Sequence, residues 1–321
     1  MALHSQHTHR ALVAAAILAT SALFTAGCSP ASDSGESADA TDTAVEVAGV
    51  AITVDNAARA ALPQKYSDAG SVKVATDVPY APFEMFESEG SDVITGVDYD
   101  LGQAIGAKLG IDFDFEQQKF DGIIPALQAG KVQVAISAMT SSVDRMDVLT
   151  FVDYSASGTG ILVEKGNPAG IETYLDLCGQ KLAVQSGASQ IDLVAVWQDE
   201  CSSAGKGAIA LSEYPKDSDA QLAITSGKVI ASVLTKPSAG FVAKTANDGN
   251  TFEVIDDPAA PTGYDSTLNG IGVLNADAAL ADAIQLALQS LMDDGTYMTI
   301  LEAYGVEGIA IEAATINAAK S

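Results

Sequence analysis

The chain has 321 residues, 16 basic and 42 acidic, for a formal net charge of −26, and 48% of its residues are hydrophobic. So acidic a surface repels nucleic acid and anionic headgroups, which excludes nucleic-acid binding. The length exceeds that of a usual single domain, which predicts two lobes, and the apolar content is ample for both cores.

In chain order, the first element is a processing segment. Arg10 precedes the apolar run 11–24, and Thr25-Ala26-Gly27-Cys28 follows. A charged n-region, an h-region and small residues before a cleavage point make residues 1–27 a signal peptide. Cysteine directly after Ala-Gly resembles a bacterial lipobox, with Thr25 where Leu is usual, and makes Cys28 the lipidated first residue of a chain anchored to the outer face of the cell membrane. A plain secretory signal or a short membrane anchor are the alternatives, although the run is short for a span. His4, His7 and His9 all lie in this leader. The rest of the chain has no histidine, so Ser-His-Asp, Cys-His and histidine–metal chemistry are excluded there. No metal or cofactor is expected. Residues 28–65 read as a tether rich in Ser, Ala, Asp and Thr, with a short helical stretch from Asp55 to Leu62 that ends before Pro63.

The globular part opens with an alternating strand at 71–76. Pro79 and Pro82 interrupt regular structure, and Asp100 is expected to cap a helix over 101–109 with apolar residues at helical spacing. A metal-binding pair of Asp98 and Asp100 is the less favoured reading. A strand over 111–116, a helix over 120–130 closed by Gly130 and a strand over 132–137 complete a parallel βαβ rhythm. The stretch 151–163 carries Gly158 and Gly160 and suits a crossing between lobes. It lacks the third glycine of a dinucleotide loop. The rhythm restarts with strand 181–184, helix 191–200, strand 208–214, helix 219–227 and strand 229–234. A second crossing is expected over 267–274, then helices over 276–292 and 296–304, and an uninformative tail from Gly308. Setting Cys28 aside, Cys178 and Cys201 remain. In an exported chain they suit a disulfide, worth about 3 kcal/mol for a loop of that length. Two free buried thiols are the alternative. Ser203 and Lys206 match an SxxK spacing without its companion motifs and are read as chance.

Candidate chemistry centres on Arg145, which follows the strand-to-helix turn Ser137-Ala138-Met139-Thr140. Its planar fork suits a carboxylate held bidentately. A structural pairing with Asp144 or Asp147 is the competing reading. The second half repeats the strand, small-residue turn and helix at Gln185-Ser186-Gly187-Ala188-Ser189. Free N–H groups at helix starts are anion sites, and in open α/β sheets ligands bind at the carboxyl ends of strands.

These pieces carry a resemblance. Asp77-Val-Pro-Tyr80-Ala-Pro-Phe83-Glu84, Gly96-Val-Asp-Tyr-Asp100, Ile123-Ile-Pro-Ala-Leu127, Ser137 to Arg145, Phe151-Val-Asp153 and Asp294-Gly-Thr-Tyr297 resemble, in order and over about 66–306, the solute-binding proteins of polar amino-acid ABC transporters, the extracellular family 3. The cysteine pair is similar to that of actinobacterial members. The resemblance implies a two-lobed α/β periplasmic-binding-protein-like fold of type II. Lobe 1 would be 66–157 plus 266–321 and lobe 2 158–265, with two crossover strands as a hinge. It implies a monomer that passes a small zwitterion to a membrane permease with its cytoplasmic ATPase. It assigns the ligand α-carboxylate to Arg145, with the N–H groups of Thr140 and Ser189 and the Ser189 hydroxyl. The ligand body falls to Tyr80 and Phe120, with Phe83, Ser137 and Ala188 close by, and a polar or cationic side chain to Asp77. Two positions depart from the pattern. Thr235 stands where an Asp usually holds the α-ammonium, and Ala138 stands for the second Ser of a pair. The expected consequence is that the pocket holds the carboxylate normally and the amine unusually, either as a modified amine or with the ammonium on Asp77.

The leading expectation is a lipid-anchored receptor of an ABC importer. A cyclohexadienyl or arogenate dehydratase-like enzyme on the same scaffold needs a carboxylic acid in place of histidine, and the sequence indicates none. A ligand-sensing lipoprotein without transport is the third reading.

Overall fold

A computed structural model describes residues 44–319. The expected signal peptide and the lipidated Cys28 lie outside the described residues. The segment 45–65, expected as part of the tether, is folded. It forms a hairpin of β1 (Val45–Val47) and β2 (Val50–Ile52), α1 (Asn56–Ala61), and the start of α2 (Gln64–Ala69). Asp55 caps α1 by accepting from the N–H groups of Ala57 and Ala58, both at 2.9 Å. Val47, Ile52, Ala58 and Leu62 are buried in the same core as the globular part. These apolar side chains, spaced among small and polar residues, are what a purely compositional reading passes over.

The first half continues with β3 (Ser71–Thr76), a hairpin of β4 (Met85–Phe86) and β5 (Ile94–Thr95), α3 (Val97–Leu109), β6 (Asp112–Gln117), α4 (Ile123–Gln128), β7 (Val134–Ala135) and α5 (Val143–Met146). Next comes β8 (Leu149–Glu164). The second half holds β9 (Lys181–Gln185), α6 (Gln190–Ser203), β10 (Ala210–Tyr214), α7 (Asp217–Thr225), β11 (Ala231–Thr235), α8 (Lys236–Thr245) and β12 (Phe252–Val254). β13 (Tyr264–Leu274) returns, followed by α9 (Ala278–Asp293), α10 (Thr296–Ala303) and β14 (Thr315–Ile316). The tail is not idle: Ala318 N–H and Thr315 Oγ1 donate to Asp153 of β8.

One sheet path runs β10-β9-β11-β8-β13-β7-β3-β6. β9, β10 and β11 are parallel, as are β7, β3 and β6, while β8 and β13 run antiparallel to each other and to their outer neighbours. β8 spans 16 residues, about 50 Å of strand. Its first part pairs β13 and its last part pairs β11. The apolar cores divide along it. Two clusters draw on residues up to Tyr154 and from Ile271 onward, and two others draw on residues between Ile161 and Tyr264, with Tyr80 packed against a cluster of each set. At the crossing, a Cβ on Gly158 would lie 2.4 Å from the Gly263 carbonyl carbon, and Gly263 has φ +95°. Only glycine lets the backbones pass so closely there.

α3 begins four residues earlier than expected. Asp98 and Asp100 lie in its first turn, and neither caps it. Asp100 accepts from Tyr304 Oη (2.8 Å), and Asp98 points into the core. The expected cysteine pair is bonded: Cys178 and Cys201 form a disulfide with Cα atoms 5.5 Å apart. It ties the turn before β9 to the last turn of α6.

Candidate functional site

The ends of β3, β7, β9 and β11 converge between the two sets of cores. Asp77 follows β3, Ser137 follows β7, Gln185 ends β9 and Thr235 ends β11. Of the expected residues, Asp77, Tyr80, Phe120, Ser137, Ala138 and Thr140 line one wall of a cavity, and Ala188, Ser189 and Thr235 line the other. The cavity encloses only about 20 Å³. Direct bonds close it. Thr140 Oγ1 meets Ser189 Oγ at 2.9 Å, and Tyr80 Oη donates to Thr235 Oγ1 at 3.1 Å while accepting from Thr235 N–H at 2.9 Å. Gln185 Nε2 donates to Asp77, and Lys216 Nζ donates to the Val78 carbonyl at 2.8 Å. A guest larger than a water enters only if the walls part.

Arg145 is not among the residues that line this cavity; it stands beside it, against Thr140 of one wall and Gly187, next to Ala188, of the other. Its Nη1 donates to the Thr140 carbonyl at 2.8 Å and its Nη2 to the Gly187 carbonyl at 2.9 Å, so it touches both walls. Its Cζ lies 5.5 Å from the centre of the Phe120 ring, within cation–π range. The local pairing is not made: Arg145 forms no ion pair with Asp144 or Asp147. Burial pulls the guanidinium down to about 10, with Asp192 acting in the opposite sense, so it is charged at neutral pH. Two donors serve neutral carbonyls and three remain for an anion.

One expectation needs correction and one residue gains a further role. Phe83 does not reach the cavity. It is fully buried in the first core, 6.3 Å from the Tyr80 ring, because the turn at Pro82 directs it inward and it supports Tyr80 from behind. Ala138 is more than a lost serine. It adopts φ +43°, unusual for a residue with a side chain, and that aims its N–H at Asp98 (2.6 Å).

Glu84, Gln185 and Gln190 also line the cavity and were missed from sequence. Gln185 was within reach, because it ends a strand at the same turn as Ser189. Glu84 directly follows buried Phe83, and nothing local separates it from an exposed acid. Around it the structure gathers carboxyls. Glu84 is 1% exposed and Asp98 0%. Burial, then neighbouring Asp98, holds Glu84 well above the usual carboxylate range. Burial raises Asp98 to about 6 against hydrogen bonds from Ala138 N–H and Tyr154 Oη. Burial raises Asp77 to about 6, with Lys216 opposing, and raises Asp217 to about 6, with Gln221 opposing. Among the described residues no group of three His, Cys, Asp or Glu is placed to hold a metal ion, and no helix is long and apolar enough to cross a membrane.

The cleft can therefore hold a small molecule that carries an anion at one end and positive charge along its body. The sequence profile of the bacterial extracellular solute-binding proteins, family 3, matches residues 72–307. The arginine-binding protein of Corynebacterium glutamicum is 28% identical over 265 residues, 81% of this chain and 82% of that protein. An ancestral arginine-binding protein solved with arginine is 31% identical, with a TM-score of 0.62 over 74% of this chain and 98% of the other. An ancestral amino acid-binding protein, described as a precursor of cyclohexadienyl dehydratase, is 28% identical, with a TM-score of 0.65 over 75% and 98%. The mixed α/β architecture, with lobes joined by two crossing strands, is that of these neighbours.

Proposed function

The chain belongs to the bacterial extracellular solute-binding proteins of family 3, the substrate-binding components of ABC importers, and on that premise we propose that its cleft takes a cationic amino acid. Arg145 grips the α-carboxylate, helped by the N–H groups of Thr140 and Ser189. Phe120 and Tyr80 enclose the body, and Asp77 faces the side-chain cation. The observation that carries this reading is the polarity of the cleft, with one guanidinium bridging both walls at one end and a set of buried carboxyls beyond it. Arginine binding in a 28% identical relative supports the same class. Lobe 1 (66–157 with 266–321) and lobe 2 (158–265) part and close on β8 and β13, and the closed form docks on a permease. Cys28 carries the lipid that keeps the protein at the outer face of the membrane, and the protein works as a monomer.

The test is a thermal-shift panel on the mature domain with L-arginine, L-lysine, L-ornithine, L-histidine, L-glutamine and L-glutamate. A ligand at 100 times its dissociation constant adds about 2.7 kcal/mol of stability. The cationic members are expected to raise Tm and L-glutamate to leave it unchanged. Stabilisation by L-glutamate alone defeats the assignment. One observation favours a second reading, the dehydratase: Glu84 supplies the buried acid that such an enzyme needs. Turnover of prephenate or arogenate, absent on the receptor reading, decides between them.

A further inference from the structure

Glu84 has an unusual hydrogen-bond balance. Ser137 Oγ accepts from Asp77 N–H (2.9 Å), so its single proton is directed to Glu84 Oε1 (2.7 Å). Glu84 Oε1 is thereby an acceptor. Glu84 Oε2 has no donor among the described residues although it is buried. The acidic neighbour Asp98 has both oxygens occupied, Oδ2 by Ala138 N–H (2.6 Å) and Oδ1 by Tyr154 Oη (2.7 Å). A buried carboxylate oxygen without a donor is costly. Two arrangements remove the cost: Oε2 carries a proton itself, or it receives an N–H from a guest in the cavity that Glu84 lines.

We propose that Glu84 exchanges a proton for the side-chain cation of the ligand. This rests on the cationic amino-acid reading above. Without ligand, Oε2 is protonated, Asp98 is ionised, and the pair bears one negative charge. When a guanidinium or ammonium arrives, its N–H takes the place of the proton, which leaves to solvent. One positive charge enters and one departs, so the buried site keeps its net charge and avoids the penalty of an added uncompensated ion. The charged and titratable groups facing the exchange are Asp98 on α3, Asp77 after β3, Asp217 and its neighbour Lys216 at α7, and Tyr154 on β8. While protonated, Glu84 donates to neighbouring Asp98; once ionised, Oε2 has no donor among these groups and takes one from the guest.

The test is calorimetric titration of the intact mature protein near pH 7 in phosphate and in Tris, whose ionisation enthalpies differ. L-Arginine and L-lysine are expected to release about one proton per molecule bound, and L-glutamine none. One released proton corresponds to about a tenfold gain in affinity per pH unit. Glu84→Gln is expected to abolish the release and to weaken L-arginine at least tenfold, while L-glutamine changes little. Binding of L-arginine with no proton released overturns the proposal. Equal release with L-glutamine overturns it too, because the exchanging group is then the α-ammonium. Because the buffer comparison is made on the wild-type chain, it stands even if the variant folds poorly. Failure of every amino acid to bind is a different outcome, which defeats the functional reading itself.

Discussion

Tyr80 shows how single residues bind the two walls together. Its Oη is held by both Thr235 Oγ1 and Thr235 N–H. Tyr80→Phe leaves Thr235 N–H, at the end of β11, without its acceptor in the closed cleft, a loss of about 1–3 kcal/mol. Ligand affinity measured by calorimetry is expected to fall five- to a hundredfold, with little change in ligand-free Tm if opening relieves the cost. At this scale the sequence was a partial guide. The placement of Thr140 and Ser189 at one cavity, with Arg145 beside it, was legible because strand ends and helix starts gather there. Glu84 was not, since its chemistry comes from Ser137 and Asp98, 53 and 14 positions away, and no local pattern reports such neighbours. Thr235 reads differently once placed. It departs from the usual Asp, yet it fastens Tyr80 and Ser238 and starts α8.

Among the elements, the crossing strands concentrate the strain. Gly263 has φ +95°, and a Cβ there would meet the Gly158 carbonyl carbon at 2.6 Å. Gly263→Ala adds a left-handed alanine and a backbone clash, together about 2–4 kcal/mol. Tm is expected to drop by several degrees, and ligand binding should weaken because the same strands carry the hinge. An unchanged Tm would mean that the crossing relaxes freely. The extended stretch with Gly158 and Gly160 marked the first of these strands from sequence. Shorter pieces escaped. α8 was not foreseen, because Pro237 reads locally as a breaker although it sits in its first turn, and the helix expected after Thr140 is only the four residues of α5. β1, β2 and the docking of α1 were hidden in a composition that resembles a tether.

For the molecule as a whole, buried acids set the response to pH. Asp77, Asp98 and Asp217 are each pushed up to about 6 by burial. The folded state therefore binds more protons than the unfolded one between about pH 4 and 6. Stability from these groups is complete below their unfolded values and is lost as pH rises through their folded values. A shift of that size is about 3 kcal/mol for one such group. Asp55, Asp176 and Asp294 are lowered and act in the opposite sense, but only below about pH 4. The ligand-free protein is thus expected to have a higher Tm at pH 5 than at pH 7 by scanning calorimetry, with a flatter profile in Asp217→Asn. The two-lobed plan itself was legible from length and strand rhythm. That the walls close directly on each other was not, since it depends on contacts between distant halves. The proposed function depends on Arg145 meeting a carboxylate in that gap, and calorimetric titration of the wild-type protein and Arg145→Ala with L-arginine and with agmatine, which lacks the carboxylate, tests it most directly. The wild type is expected to bind L-arginine far more tightly than agmatine, and Arg145→Ala to erase the difference, at a loss of about 2–5 kcal/mol for L-arginine. Equal binding of the two by the wild type, or undiminished L-arginine binding by Arg145→Ala, would contradict it.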